Sequence, residues 1–234
     1  MTKNIMRNFL IFLTFILISV SCQPTEAPKE SVVITEPEMA EENSGEPTGP
    51  HTSAEWKIWA YSTAAPSFIA SECTVLDVDG TVLREGTNGW TAMAANPRGM
   101  ADPGNGWKDA HEAMAMVGDA QAMKWAMAYM SGKTPEMDHD GWAWMLHGDM
   151  GEDNSVGMRI GPNDEGDVVI KTKETTAEGQ WIESGPHLML MPKDPSTLKG
   201  MTTDFNSGAP YVMFAGTGYD HVMIPVEGYY EYQR

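Results

Sequence analysis

Three histidines stand in or beside strand-like runs. His147 follows Trp142-Ala143-Trp144-Met145-Leu146, His187 heads His187-Leu188-Met189-Leu190-Met191, and His221 opens His221-Val222-Met223. Imidazoles from neighbouring strands, with Asp149 or Asp220 as a fourth ligand or orienting partner, would suit zinc. They would suit copper if methionine sulfur joined them. The spacing follows no fixed metal-ligand rule, so the competing reading is separate histidines, each satisfied by ordinary hydrogen bonds. Asp138-His139-Asp140 is a further cluster of oxygen and imidazole donors. A metal-dependent hydrolase would need a carboxylate such as Asp149 or Glu152 beside the imidazoles as general base.

A second candidate is Leu83-Arg84-Glu85-Gly86-Thr87-Asn88-Gly89-Trp90. Arg84 could bind an anion, with Glu85, Asn88 and the flat face of Trp90 completing a small ligand site. Gly86 and Gly89 allow tight turns, and Asn88 can hold a turn through its own side chain. A salt bridge between Arg84 and Glu85 that merely closes the turn explains the same residues.

A third is Leu76-Asp77-Val78-Asp79-Gly80-Thr81, which resembles the first motif of haloacid-dehalogenase-type phosphatases. The resemblance implies Asp77 as nucleophile and Asp79 as acid/base. Gly148-Asp149 with Asp153 resembles that family's acidic magnesium motif. It also implies a parallel sheet with alternating helices. The residues between Asp77 and Asp149 hold a long loop and one helical region, which argues against that fold. Asp79-Gly80 equally reads as a hairpin turn.

These residues need elements to position them. Ser53 can cap a helix through Glu55–Tyr61, and Pro66 starts another short turn. Cys73–Val78 and Thr81–Arg84 read as hairpin strands. Asp109–Val117 is helical in pattern, and Asp119 can cap a second segment ending at Met130, with Gly132 as stop. Met123, Met127 and Met130 share one face of that segment at helical spacing and predict core packing. Beyond Pro135 the period shifts toward two. Trp142–His147, Val168–Lys171, His187–Met191, Tyr211–Phe214 and His221–Val226 read as strands, and Asp194 with Pro195 starts a helical turn. The prediction is α+β, a mainly antiparallel sheet with one long helix packed on it.

Composition narrows the function. The net charge is −18, which repels polyanions and argues against nucleic acid as a partner. Sixteen of the 19 methionines fall between Met93 and Met223. Methionine is a flexible core filler and also a soft copper(I) ligand. The only cysteines are Cys22 and Cys73; Cys73, in an apolar run, reads as a buried inert thiol.

Residues 1–21 carry Lys3 and Arg7, then an apolar run from Phe9 to Ile18, then Ser19-Val20-Ser21 before Cys22. That layout reads as a cleaved secretory signal, since the apolar run is too short to span a bilayer. With Cys22 at the cleavage point it resembles a bacterial lipoprotein signal, although Ser19 stands where that pattern usually has Leu. The resemblance implies lipidation of Cys22 and a lipid-anchored protein at the periplasmic or outer-membrane face of the envelope. Residues 22–52 then read as a disordered acidic tether, with five prolines and seven glutamates against one lysine. Residues 53–234 read as one globular domain.

Several segments together, Thr81–Thr91, Trp142–Asp149, Gly185–Met191, and Ala209–Thr217 with His221–Pro225, resemble a family of uncharacterised secreted bacterial proteins. That resemblance implies no activity. The leading expectation is an envelope lipoprotein whose domain binds a small ligand or a metal ion, zinc or copper. A metal-dependent hydrolase, the phosphatase and a non-enzymatic interaction protein are the alternatives.

Overall fold

The alternation of apolar residues after Pro135 becomes the two faces of one sheet. The computed structural model describes residues 45–98, 104, 106–155, 161–162, 168–169 and 171–233. The signal-like segment, Cys22 and the tether up to residue 44 lie outside the described residues.

The sheet strands are β1 (Thr74–Leu76), β2 (Val82–Arg84), β3 (Thr91–Ala94), β4 (Ala115–Gly118), β5 (Gly141–Met145), β10 (His187–Met191), β11 (Tyr211–Met213) and β12 (His221–Pro225). Among the described residues, four two-residue strands come between β5 and β10. Of these, β6 (Glu152–Asp153) pairs with β9 (Trp181–Ile182), and β7 (Gly161–Pro162) pairs with β8 (Val168–Val169). The eight-stranded order is β11-β12-β10-β5-β4-β3-β1-β2. Only β1 and β3 run parallel in it. This is an α+β fold with a mostly antiparallel sheet and helices packed on it. It is not the parallel arrangement that the phosphatase resemblance implies.

Helix α1 (Ala54–Ser62) starts where Ser53 accepts a hydrogen bond from the Trp56 amide. It packs on β4, β3 and β1, where Trp56, Ala60, Tyr61, Val75, Ala92, Ala115 and Val117 form one core. The next residues of β3 and β4, Met93 and Met116, point to the opposite face. The acidic segment joins the fold before residue 53. Glu46 accepts from Trp56 Nε1 at 2.8 Å, and His51 stacks on Trp56 with ring centroids 4.2 Å apart.

Asp109–Val117 is not one helix. Helix α3 (Ala110–Ala113), which follows the four-residue α2 (Ser67–Ala70), stops at Met114, which turns left-handed with φ 49°. Ala115–Gly118 then becomes a fully buried strand between β3 and β5. Helix α4 (Ala120–Met130) begins where Asp119 accepts from the amides of Gln121 and Ala122, and it packs on β5 and β4. Its buried face is Ala122, Trp125, Ala126 and Tyr129. Met123 and Met130 lie at the margin of that core, while Met127 is 55% exposed. The aromatics thus take the centre that the methionine stripe was expected to hold. No helix among the described residues is long and apolar enough to cross a membrane.

Candidate functional site

The face of the sheet beneath α4 carries a cavity of about 60 Å³. At roughly 15 Å³ per water-sized sphere, that is room for a guest of a few non-hydrogen atoms. Strand alternation builds its floor. On β10, His187 and Met189 face it; on β12, His221 and Met223; on β11, Met213; and on β5, Met145. Register sets their neighbours. His187 lies opposite Met145, Met189 opposite Met223, and His221 opposite Met213. Helix α4 supplies the roof with Trp125, Ala126, Tyr129 and Met130. Phe214, held left-handed at φ 55° with its amide bonded to Asn154 Oδ1, closes one side against His221 and Tyr129.

Both histidines are buried, His187 at 0% exposure and His221 at 2%. Burial drives each imidazole down to about 4, so both are neutral at pH 7. His187 Nδ1 donates to the Gly185 carbonyl at 2.7 Å, and His221 Nδ1 donates to the Tyr219 carbonyl at 3.0 Å. A neutral imidazole carries one proton, so each Nε2 keeps its lone pair. His187 Nε2 has no hydrogen-bond partner among the described residues. It is therefore a buried acceptor without a partner, on a side chain that lines the cavity.

Two carboxyls share the lining. Asp149 is 4% exposed and Glu152 partly buried. Asp149 Oδ1 accepts from the amides of Gly151 at 3.0 Å and Ser184 at 3.1 Å. Desolvation outweighs those bonds and pushes Asp149 up to about 7. Glu152 is pushed to about 8 by burial and then by the neighbouring Asp149, although Tyr129 donates to it at 2.9 Å. The turn delivering Asp149 requires Gly148. Its φ is 70°, and a Cβ there would stand 2.3 Å from the Ser184 carbonyl oxygen. The same Ser184 accepts through Oγ from the Tyr229 hydroxyl, which bonds the Tyr211 hydroxyl.

Three of the four expected metal ligands, Asp149, His187 and His221, therefore reach one cavity. His147 does not line it. One residue pair beyond β5, it turns to the C-terminal end of α1. There the Thr63 hydroxyl donates to the Trp59 carbonyl, so His147 Nε2 donates to Thr63 Oγ1 at 2.8 Å. Its carbonyl accepts from His111. Among the described residues no three of His, Cys, Asp and Glu come together to hold a metal ion, so the expected set does not assemble as a zinc centre. Asp220 does not orient His221; its carboxylate caps the amides of Gly216 and Gly218. Asp138 pairs with Lys124 at the surface, and His139 bonds the Asp140 carbonyl.

The other candidates are consumed structurally. Arg84 donates to the carbonyls of Cys73 and Ala70 and to Cys73 Sγ. Its guanidinium clips the end of α2 to the β1–β2 hairpin instead of pairing with Glu85. Asn88 donates to the Ile69 carbonyl and accepts from the Trp90 amide. A Cβ on Gly86 would lie 2.1 Å from the Thr74 amide nitrogen, so this loop is packed against its neighbour. None of Arg84, Glu85, Asn88 and Trp90 lines the cavity. Asp77 is held by Lys57 Nζ at 2.7 Å, and Asp79 caps the hairpin through the Thr81 amide. Cys73 is buried, and burial raises its thiol.

Sequence reasoning named His187, His221 and Asp149 but not their methionine and aromatic partners. The period-two runs did hold a signal, because each histidine shares strand parity with a methionine two residues on. Searches of family models, of curated proteins and of solved structures each returned no match to this chain.

Proposed function

We propose that this is a binding domain that takes a small guest or an ion into the cavity between α4 and the β5–β10–β12–β11 half of the sheet. The observation that carries this reading is the unpartnered Nε2 of His187 at 0% exposure on the cavity wall. Leaving a buried acceptor unsatisfied costs about 1–3 kcal/mol, a cost that a guest donating to or ligated by that nitrogen removes. The lining is mostly apolar with a few convergent polar groups, the usual character of small-molecule sites. The lipoprotein-like pattern at Cys22 supports an address for this domain, tethered to an envelope membrane through a lipid. Intact-mass measurement of the membrane fraction tests the lipid.

Xenon enters apolar cavities without needing a polar contact. With the protein labelled on its methionine methyls, xenon is expected to shift Met145, Met189, Met213 and Met223. The exposed Met127, Met150 and Met201 are expected to stay still. Ala126→Phe, on the cavity roof, is expected to abolish those shifts while the fold persists. Unshifted cavity methyls in the native protein overturn the reading.

A further inference from the structure

We propose that the guest is copper(I), ligated by imidazole nitrogen and thioether sulfur. The inference rests on the cavity being a binding site and names what it takes. Register arranges the donors in two equivalent ends. His187 has Met145 directly across on β5 and Met189 two residues along its own strand. His221 has Met213 directly across on β11 and Met223 two residues along its own strand. Directly opposed residues place their Cβ atoms about 4.5–5.5 Å apart, within reach of one ion for a methionine and a histidine. Met189 and Met223 face each other in the middle. His187 is opposite Pro225 and His221 lies four residues before it, so the two imidazoles stem from points about 14 Å apart along the strands. Each end thus offers one imidazole and two thioethers.

The chemistry of this donor set is selective. Every one of the six is neutral, four being soft thioethers and two borderline imidazoles, with no net charge to neutralise a dication. Thioethers favour copper(I), and imidazole suits copper in either state. Zinc prefers thiolate, imidazole and carboxylate in a closed tetrahedron, and among the described residues no such cluster exists. Each Nδ1 proton is fixed on a backbone carbonyl, which holds the ring and leaves Nε2 as the ligating atom. That is the usual support behind a metal-bound histidine. His187 Nε2, buried and without a partner, is the atom this ion would satisfy.

The test is anaerobic titration of the full chain with copper(I) against a chromophoric copper(I) chelator, read together with the methionine methyl spectrum. Copper(I) is expected to be withdrawn from the chelator and to shift Met145, Met189, Met213 and Met223. X-ray absorption of the loaded protein is expected to show mixed nitrogen and sulfur neighbours. His187→Phe and His221→Phe together are expected to weaken binding by on the order of 100-fold. Met189→Leu with Met223→Leu, which preserves volume, is expected to weaken it with the thermal melt nearly unchanged. Copper(I) that shifts only exposed methionines, or uptake untouched by both double variants, overturns the proposal. If xenon still shifts the cavity methyls in that case, the binding-site reading survives and only the identity of the guest falls. If xenon fails as well, both fall.

Discussion

Both faces of this sheet bury polar side chains, and they treat them in opposite ways. Beneath α1 the chemically suggestive groups are spent, apart from Arg98, which lies over Trp107 with its Nε unpartnered among the described residues. Lys57 meets Asp77, Arg84 fills the carbonyls of Cys73 and Ala70, Tyr61 accepts from Trp107 Nε1, and His147 donates to Thr63. Beneath α4 the polar groups are left poised. His187 keeps an unpartnered nitrogen, and Asp149 and Glu152 are pushed toward neutrality instead of being paired with a cation. Residue type does not separate the two faces, since each holds histidine and carboxylate. What separates them is whether a partner of opposite character was built in. A satisfied buried group stabilises the fold, whereas an unsatisfied one is a standing cost that a ligand can relieve.

The sharpest break of this contrast is the ion pair. Lys57→Ala strands the mostly buried Asp77 carboxylate and is expected to cost about 3 kcal/mol, read as a lower denaturant midpoint at unchanged slope. His187→Phe, which removes a desolvated imidazole of similar shape, is expected to change stability at pH 7 by less than about 1.5 kcal/mol. Equal losses would erase the distinction between the faces.

The next effect is pH dependence. The two carboxyls have folded values raised above their unfolded ones, so their contribution is complete below about pH 4 and is lost as pH rises through about 7 and 8. The two imidazoles have folded values depressed to about 4. Their neutral burial is complete above about pH 6.5 and is lost as pH falls toward 4. Between these limits the pairs oppose each other, and above 6.5 only the carboxyls still titrate. Denaturation across pH is therefore expected to show a plateau up to about 6.5 and then a decline of about 2 kcal/mol by pH 8. Asp149→Asn with Glu152→Gln removes the alkaline decline and exposes a loss toward acid. His187→Phe with His221→Phe removes the acid-side opposition, so stability falls across the whole range. An alkaline decline that persists in the carboxyl variant would show that its source lies elsewhere.

The smallest effect tests the helix. Met127→Gln, on the exposed side of α4, is expected to stay within about 0.5 kcal/mol of the parent by thermal denaturation. A larger loss would mean that the exposed methionine supports the cavity roof.

Some of this was legible residue by residue. Ser53, Asp119 and Asp194 accept amide bonds at the helix starts where their types predicted them, because a cap is satisfied within three residues. Asp79-Gly80 turns a hairpin with Gly80 at φ 85°. The Ala115–Gly118 strand was not legible. A four-residue apolar run fits a buried strand as well as a helix, and Asp109 had already started a helix in front of it. The left-handed turn at Met114 and pairing with both β3 and β5 decided the matter.

By itself the sequence determined the local chemistry: which residues cap, which turn, which strands alternate, that the chain is strongly acidic, and that His187 and His221 share parity with methionines. Only the tertiary structure decided that β10 lies between β5 and β12, and hence that these two histidines meet Asp149 over one cavity while His147 goes to α1. The reason is range. Caps and turns are settled between near neighbours, but strand order joins residues tens of positions apart, and which polar group finds a partner depends on that order.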